Sequence, residues 1–199
     1  MWEEAYRKGL RFGGLADTGW IVDNLHTKMK ILETGCGEGK TYLALRKKGF
    51  DVMGVDISEI AISRLIANAS SLGIEANACI GDARNMKFSA GEFDAVISIH
   101  LLDAMASDRD VFVSIAETLR ILKTGGVFIS EVFCVEDFRN GRGEKLDEKR
   151  YRRNGIVTAY FREEEYIKLL STFTSVNVWH HRFERNYGKR CVLCAICKK

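Results

Sequence analysis

Short apolar runs alternate with turn residues and helix-length stretches over residues 30–133, and this rhythm constrains the fold more than any other feature of the chain. The runs are Lys30–Thr34, Asp51–Val55, Glu75–Ile80, Phe93–Ile99 and Val127–Phe133. Between them lie Lys40–Lys48, stopped by Gly49, a stretch from Ser58 to Leu72, stopped by Gly73, and Asp108–Leu122 ahead of Gly125-Gly126. Glycine just past such a stretch is the ordinary end of a helix. Ser58 reads as an N-cap, and Ile62, Leu65, Ile66 and Ala69 follow it at the spacing of a core-facing helical stripe. Phe93–Ile99 is almost continuously apolar, as a strand buried on both faces should be. Strands that alternate with helices at this spacing predict a parallel sheet with right-handed crossovers.

Beyond residue 133 the pattern changes. Arg139–Arg153 is charged and contains glycine, the composition of an exposed excursion, and Glu163–Leu170 predicts a short helix. Ser175–Glu184 and Tyr187–Cys197 read as two strands joined by a tight turn near Asn186, hence antiparallel to each other. The fold class is therefore α/β: a mostly parallel sheet with helices on both faces, finished by an antiparallel hairpin. With 199 residues the expectation is one domain. Its segments are an N-terminal helical piece (1–29), a core (30–133), the excursion (134–160), and a helix plus hairpin (161–199).

Apolar residues at 46% and charged residues at 29% exclude a disordered or fibrous chain. No apolar run approaches the roughly 18 residues of a spanning helix, so no membrane partner is expected. Met1–Arg7 has no apolar core for export, which makes the cytoplasm the expected location and the six cysteines reduced thiols. A net charge of +3 does not point to nucleic acid as a partner. Proline is absent altogether.

Three loop chemistries compete for Gly35-Cys36-Gly37-Glu38-Gly39-Lys40-Thr41. A P-loop needs a glycine five positions before Gly39, where Thr34 stands. A dinucleotide fingerprint needs its third glycine three positions after the second, where Lys40 stands. What remains is Glu33-x-Gly35-x-Gly37-x-Gly39 at the end of a strand.

That loop, with Ile31-Leu32 before it, resembles the class I S-adenosylmethionine-dependent methyltransferases. So do Val55-Asp56-Ile57-Ser58, Gly81-Asp82-Ala83, Phe93–Ser98 and Leu119–Gly126, in that order along the chain. Thr124 departs from the family pattern, which has proline before the paired glycines; the position lies in a turn away from the cofactor. The resemblance implies a Rossmann-like sheet of seven strands with S-adenosyl-L-methionine as cofactor. It also implies roles. Gly35, Cys36, Gly37 and Gly39 would let backbone approach the methionine part, with Cys36 a small neutral filler. Glu33 would orient the amino group or the loop, and Asp56 would accept from the ribose hydroxyls. Asp82 would meet the adenine amino group with Ile57 and Ala83 flanking the ring, and backbone at Ser98 would approach the methionine moiety.

Methyl transfer needs alignment and exclusion of water more than a fixed catalytic set. His100, just past the fourth strand, is the candidate catalytic residue, because its near-neutral pKa suits a base. Asp103 reads as a helix-start residue. Tyr160 and the arginines Arg150, Arg152 and Arg153 are candidates for the acceptor, the arginines because their forks suit an anionic group. Trp2, Tyr6, Arg11 and Phe12 precede the first strand, where they would form either a lid over the cofactor or a helix packed on the sheet edge. Cys191, Cys194 and Cys197 suggest a metal, but strand alternation turns Cys194 away from the other two, so no metal site is expected of them.

The expected reaction is methyl transfer to a small-molecule acceptor. An RNA or protein acceptor is the alternative, disfavoured because Ser98-Ile99-His100-Leu101 replaces the Asn/Asp-Pro-Pro-aromatic motif of similar base-amine methyltransferases. A cofactor-binding partner or sensor without catalysis is the third possibility.

Overall fold

A computed structural model describes residues 1–9 and 17–199; Arg11 and Phe12 of the expected N-terminal cover lie outside them. The elements in order are α1 (Trp2–Arg7), α2 (Gly19–Val22), β1 (Lys30–Thr34), α3 (Lys40–Arg46), β2 (Asp51–Asp56), α4 (Glu59–Ser70), β3 (Ala78–Ile80) and β4 (Phe93–Ile99). A 3₁₀ turn (Leu102–Ala104) leads to α5 (Asp108–Ile121) and β5 (Leu122–Phe133). Then come β6 (Glu144–Lys145), β7 (Arg150–Arg153), β8 (Ile156–Ala159), α6 (Glu163–Leu170), β9 (Ser175–Arg185) and β10 (Gly188–Lys198).

Seven strands form one sheet in the order β3-β2-β1-β4-β5-β10-β9. The first five run parallel, and β10 pairs antiparallel with both β5 and β9. This is the expected parallel sheet with its terminal hairpin. Alternation along each strand divides the core in two. Ile31, Val52, Ala95, Ile97 and Ile129 pack under α2, α3 and α4. Leu32, Val55, Val96, Phe128 and Val132 pack under α5 and α6. Ser58 caps α4 as expected, its Oγ accepting from the Ala61 N–H at 3.2 Å.

Three details differ from the expectation. The third strand is only Ala78–Ile80, because side chains of α3 take up backbone groups before it: Arg46 donates to the Glu75 carbonyl and the Asn77 N–H donates to the Tyr42 hydroxyl. α5 stops at Ile121, and Leu122 already pairs with Phe93, so β5 begins five residues early and a register shift absorbs Gly125-Gly126. The charged excursion is not an irregular loop: β6, β7 and β8 form a small antiparallel sheet of their own.

The strand order reverses between β1 and β4, since the chain works outward from β1 to β3 and then returns to the other side of β1. Crossovers on either side of such a point run in opposite directions and leave a crevice beyond the carboxyl ends of the strands.

Candidate active site

The crevice is filled by the loop Gly35–Gly39 from one side. Gly35 and Cys36 both donate backbone N–H groups to the Val55 carbonyl, at 2.7 and 3.1 Å, and this turns the loop sharply off β1. At Gly37 (φ +53°) a Cβ would sit 2.7 Å from the Tyr6 hydroxyl, so only glycine allows α1 to close on the loop. α1 is fixed there by Glu3, which accepts from the Ser58 hydroxyl at 2.5 Å, and by Arg64, which donates to the Tyr6 carbonyl at 2.7 Å. Of the two N-terminal arrangements expected, this is a helix against the glycine loop and α4, not one on the sheet edge.

Asp56 closes β2 beside this loop. One carboxylate oxygen accepts from the Gly37 N–H and the other from the Ser58 N–H, both at 2.9 Å. Each oxygen keeps a lone pair for a further donor. Burial pushes the Asp56 carboxyl up, against the pull of those N–H groups. Glu33 is buried on β1, and its pKa is raised by burial and then by Asp56. Its Oε2, like Oγ of the buried Ser98 on β4, has no hydrogen-bond partner among the described residues. Cys36 is buried against Gly54, where a Cβ would meet its sulfur at 2.9 Å, a filler position as expected.

Ala83 is buried, whereas Ile57 is half exposed, an apolar side chain standing at the strand end. Asp82 lies near both, but it is engaged by Arg84, whose Nε and NH2 donate to its two oxygens while NH1 reaches Asp110. An adenine amino group there would share Asp82 with Arg84. One orphaned buried oxygen, Glu33 Oε2, a loop that turns on three glycines and the uncovered Ile57 flank fit S-adenosyl-L-methionine at this end of the crevice. Ser98 Oγ lies on the other face of β4 with Val96 and does not line it, so Ser98 would act only through its backbone. Glu33, Gly35–Gly39, Asp56, Ile57, Asp82, Ala83 and Ser98 are the residues that would hold it.

The same crevice continues past β4 and β5 as one cleft of about 1460 Å³. A single-ligand pocket is roughly 300–1,000 Å³, so the space admits two molecules. His100 stands at the junction with φ +56°, a left-handed backbone that histidine tolerates better than most residues. Its Nδ1 is 2.8 Å from Asp103 Oδ2 and its Nε2 is 3.0 Å from Glu131 Oε1. Burial by itself would lower this imidazole, but the Asp103 and Glu131 carboxylates outweigh it and hold the pKa at about 9. The ring also stacks on Phe133, centroids 3.9 Å apart.

Asp103 is therefore more than a helix-start residue: it is buried and also accepts the Phe133 N–H at 2.8 Å. Tyr160 lines the cleft 6.0 Å from Phe133. The three expected arginines part company. Arg150 is buried behind the cleft, bonded to Asp108, Asp147 and the Met105 carbonyl. Arg152 faces outward to Glu144, and Arg153 alone lines the cleft. In their place come Arg139 and Arg190, both bonded to the buried Asp137 and both lying over the Phe133 ring at 4.0 and 5.2 Å. Arg139 keeps one buried nitrogen, NH2, with no partner among the described residues. Nothing in the local sequence marks Asp137, Arg139, Arg190 or Glu131; they meet only because β10 inserts beside β5.

No described helix is long and apolar enough to cross a membrane. A family model described as a methyltransferase domain matches residues 25–185. The Bacillus subtilis protein YqeM is 32% identical over 58% of this chain and 47% of its own length. The ajmaline N-methyltransferase of Rauvolfia serpentina is 34% identical over 50% of this chain and 34% of its own. Proteins named as tRNA methyltransferases are among the relatives too. This chain thus spans half or less of the length of these relatives. Among solved structures, a S-adenosylmethionine-dependent methyltransferase of Methanosarcina mazei superposes with TM-score 0.79 at 24% identity, over 91% of this chain and 97% of that one. With the glycine loop, Asp56 and the strand order found together, and the family model covering most of the chain, this protein belongs to the class I S-adenosylmethionine-dependent methyltransferase family.

Proposed function

We propose that this chain transfers a methyl group to a small-molecule acceptor carrying an acidic group, in a reducing, cytoplasmic setting that keeps its six cysteines as thiols. The observation that carries the reading is Arg139: a buried, unpartnered guanidinium nitrogen beside the His100–Phe133 stack, in the same cleft as the glycine loop. A buried donor left unsatisfied costs about 1–3 kcal/mol, which an anionic oxygen would recover.

The cofactor supplies a methyl group on sulfonium sulfur, open to in-line displacement. The chain's own part is alignment. Phe133 and Tyr160 supply flat apolar walls, Arg139 a fork for the acid, with Arg153 further along. His100 faces a carboxylate at each ring nitrogen, so below its pKa both nitrogens carry protons and the ring cannot serve as the base. Its part is to hold Glu131 and Asp103 apart and Phe133 flat. An acidic acceptor that arrives deprotonated needs no base. α1 acts as the cover of the cofactor half.

Calorimetric titration with S-adenosylmethionine and S-adenosylhomocysteine, against NAD and ATP, tests the cofactor half. Transfer of labelled methyl to a panel of small carboxylic acids and phenols, with unmodified tRNA as a further arm, tests the acceptor half. Labelling of small acids with a KM raised about tenfold or more in Arg139→Gln is expected. Labelling of tRNA alone would replace the acceptor reading with the RNA one, and cofactor binding with no transfer to either would favour a non-catalytic role.

A further inference from the structure

Away from the cleft, on the opposite face of the sheet, four side chains meet that the transfer reaction does not use. Cys134 follows directly on β5 and is the cross-strand neighbour of Cys191 on β10: its N–H donates to the Cys191 carbonyl at 3.2 Å, and the two sulfurs are 2.8 Å apart. His180 on β9 brings Nδ1 to 3.7 Å from Cys134 Sγ and 3.5 Å from Cys191 Sγ. Glu136 completes the group, with Oε2 4.0 Å from Cys191 Sγ and Oε1 3.7 Å from His180 Nδ1. All four ligand-capable atoms lie within 4.8 Å of one another. The cysteines are buried, and the cluster opens to solvent past His180 and Glu136.

Two further contacts fix the chemistry of the histidine. Its Nε2 lies 2.7 Å from Glu163 Oε2 at the start of α6, which places the ring proton on that nitrogen. Arg182 NH2 donates to Nδ1 at 3.1 Å, and only a lone pair can receive that bond. Nδ1 therefore carries its lone pair on the side of the two sulfurs, where Arg182 holds it and has to withdraw before a metal can take its place, while a carboxylate orients the ring from behind. That second contact is the regular companion of a metal-bound imidazole. In addition, the Glu136 N–H donates to Cys134 Sγ at 3.2 Å, which fixes that sulfur toward the cluster.

We propose that Cys134, Cys191, His180 and Glu136 bind a zinc ion. Two sulfurs, one nitrogen and one carboxylate oxygen make a soft, four-ligand set suited to that ion. On binding, the two thiol protons leave to solvent and two zinc–sulfur bonds form, with no change of oxidation state. Zn–S bonds of about 2.3 Å at tetrahedral angles hold sulfurs about 3.8 Å apart, so the thiols separate by about 1 Å as the ion enters. Arg182, exposed and paired with both Glu136 oxygens, gives up one of them and its bond to His180 Nδ1 and still offsets the charge. The ion ties β5, β9 and β10 together directly behind Phe133 and Arg190, whose side chains line the cleft.

The test uses the full chain, reduced and stripped with a chelator, titrated with cobalt(II) as a spectroscopic probe and then with zinc. One equivalent of cobalt with a thiolate-to-metal charge-transfer band, displaced by zinc, is expected. The band is lost in Cys134→Ser and Cys191→Ser and kept in Cys194→Ser and Cys197→Ser. Glu163→Gln keeps the band but weakens uptake about 10- to 100-fold. Circular dichroism checks the fold of each variant; His180→Gln and the wild-type chain carry the test should the serine variants fail to fold. No band in the reduced wild-type chain, or a band that survives loss of both Cys134 and Cys191, overturns the proposal. So does a mass spectrum showing the two cysteines joined as a disulfide under the same reducing conditions.

Discussion

Asp56 concentrates several duties in one carboxylate. It ties the glycine loop to the first turn of α4 through two backbone N–H groups and keeps lone pairs turned to the crevice. Asp56→Ala is expected to weaken S-adenosylhomocysteine binding about 100-fold or more in calorimetry, two charge-assisted hydrogen bonds at about 1.5 kcal/mol each. His100 gives a pH signature. Its folded pKa of about 9 lies above the ordinary 6.5, so its stabilising effect is complete below pH 6.5 and lost as pH rises toward 9. The thermal midpoint should fall across that window in the wild-type chain, and His100→Gln should flatten the fall. A midpoint equally pH-dependent in both would show that Asp103 and Glu131 do not hold an imidazolium. At this scale the residues proposed for the cofactor were legible in sequence, as were Tyr160 and Arg153 among those that line the acceptor side, but the other charged groups there were not. Glu33 to Gly39, Asp56 and Asp82 each stand at the end of a strand whose apolar run announces it. Glu131, Asp137, Arg139 and Arg190 are ordinary charged residues in sequence, and only long-range pairing assembles them.

Among the elements, β1, β4 and α6 were legible to the residue, because strong apolar patterns and clear turn residues bound them. The excursion was misjudged for a physical reason. Its charges suggest a solvated loop, yet Arg150 is turned inward and neutralised by Asp108 from α5 and Asp147 from its own turn, which anchors β7 to the body of the protein. Charge content alone does not distinguish a solvated arginine from a paired, buried one. Removing Arg150 strands no buried charge, because Asp108 and Asp147 are about half exposed and Asp108 keeps Lys149; what is lost is the packed stem of Arg150 and its hydrogen bonds, about 1–2 kcal/mol. Arg150→Ala should therefore lower stability in urea by that amount, whereas Arg152→Ala, facing solvent beside Glu144, should stay within about 0.5 kcal/mol.

For the molecule as a whole, ligand binding and folding are coupled through the crevice, since α1, the glycine loop and α4 converge on Asp56 and Tyr6. Cofactor at 100 times its dissociation constant should add about 2.7 kcal/mol to stability. The thermal midpoint should rise with S-adenosylhomocysteine and not with NAD, and the rise should vanish in Asp56→Ala. A rise that persists in that variant would place the ligand elsewhere. The overall architecture was the part most open to sequence reading, because the alternation of runs and helices repeats the same instruction five times.

The placement of β10 between β5 and β9 has a consequence for the order in which the molecule is made. The groups proposed to hold the cofactor lie within residues 33–98, in neighbouring strands, with α1 closing on them from the N-terminal side. The wall facing the acceptor waits for Arg190, delivered some ninety residues later by β10, which must slot in antiparallel beside β5. A domain folds as a unit, and Ile196 of β10 packs in the same core as Ile31, Val52 and Ile97. A ribosome-bound chain would therefore complete neither half of the crevice until β10 has emerged, so the two halves are made together.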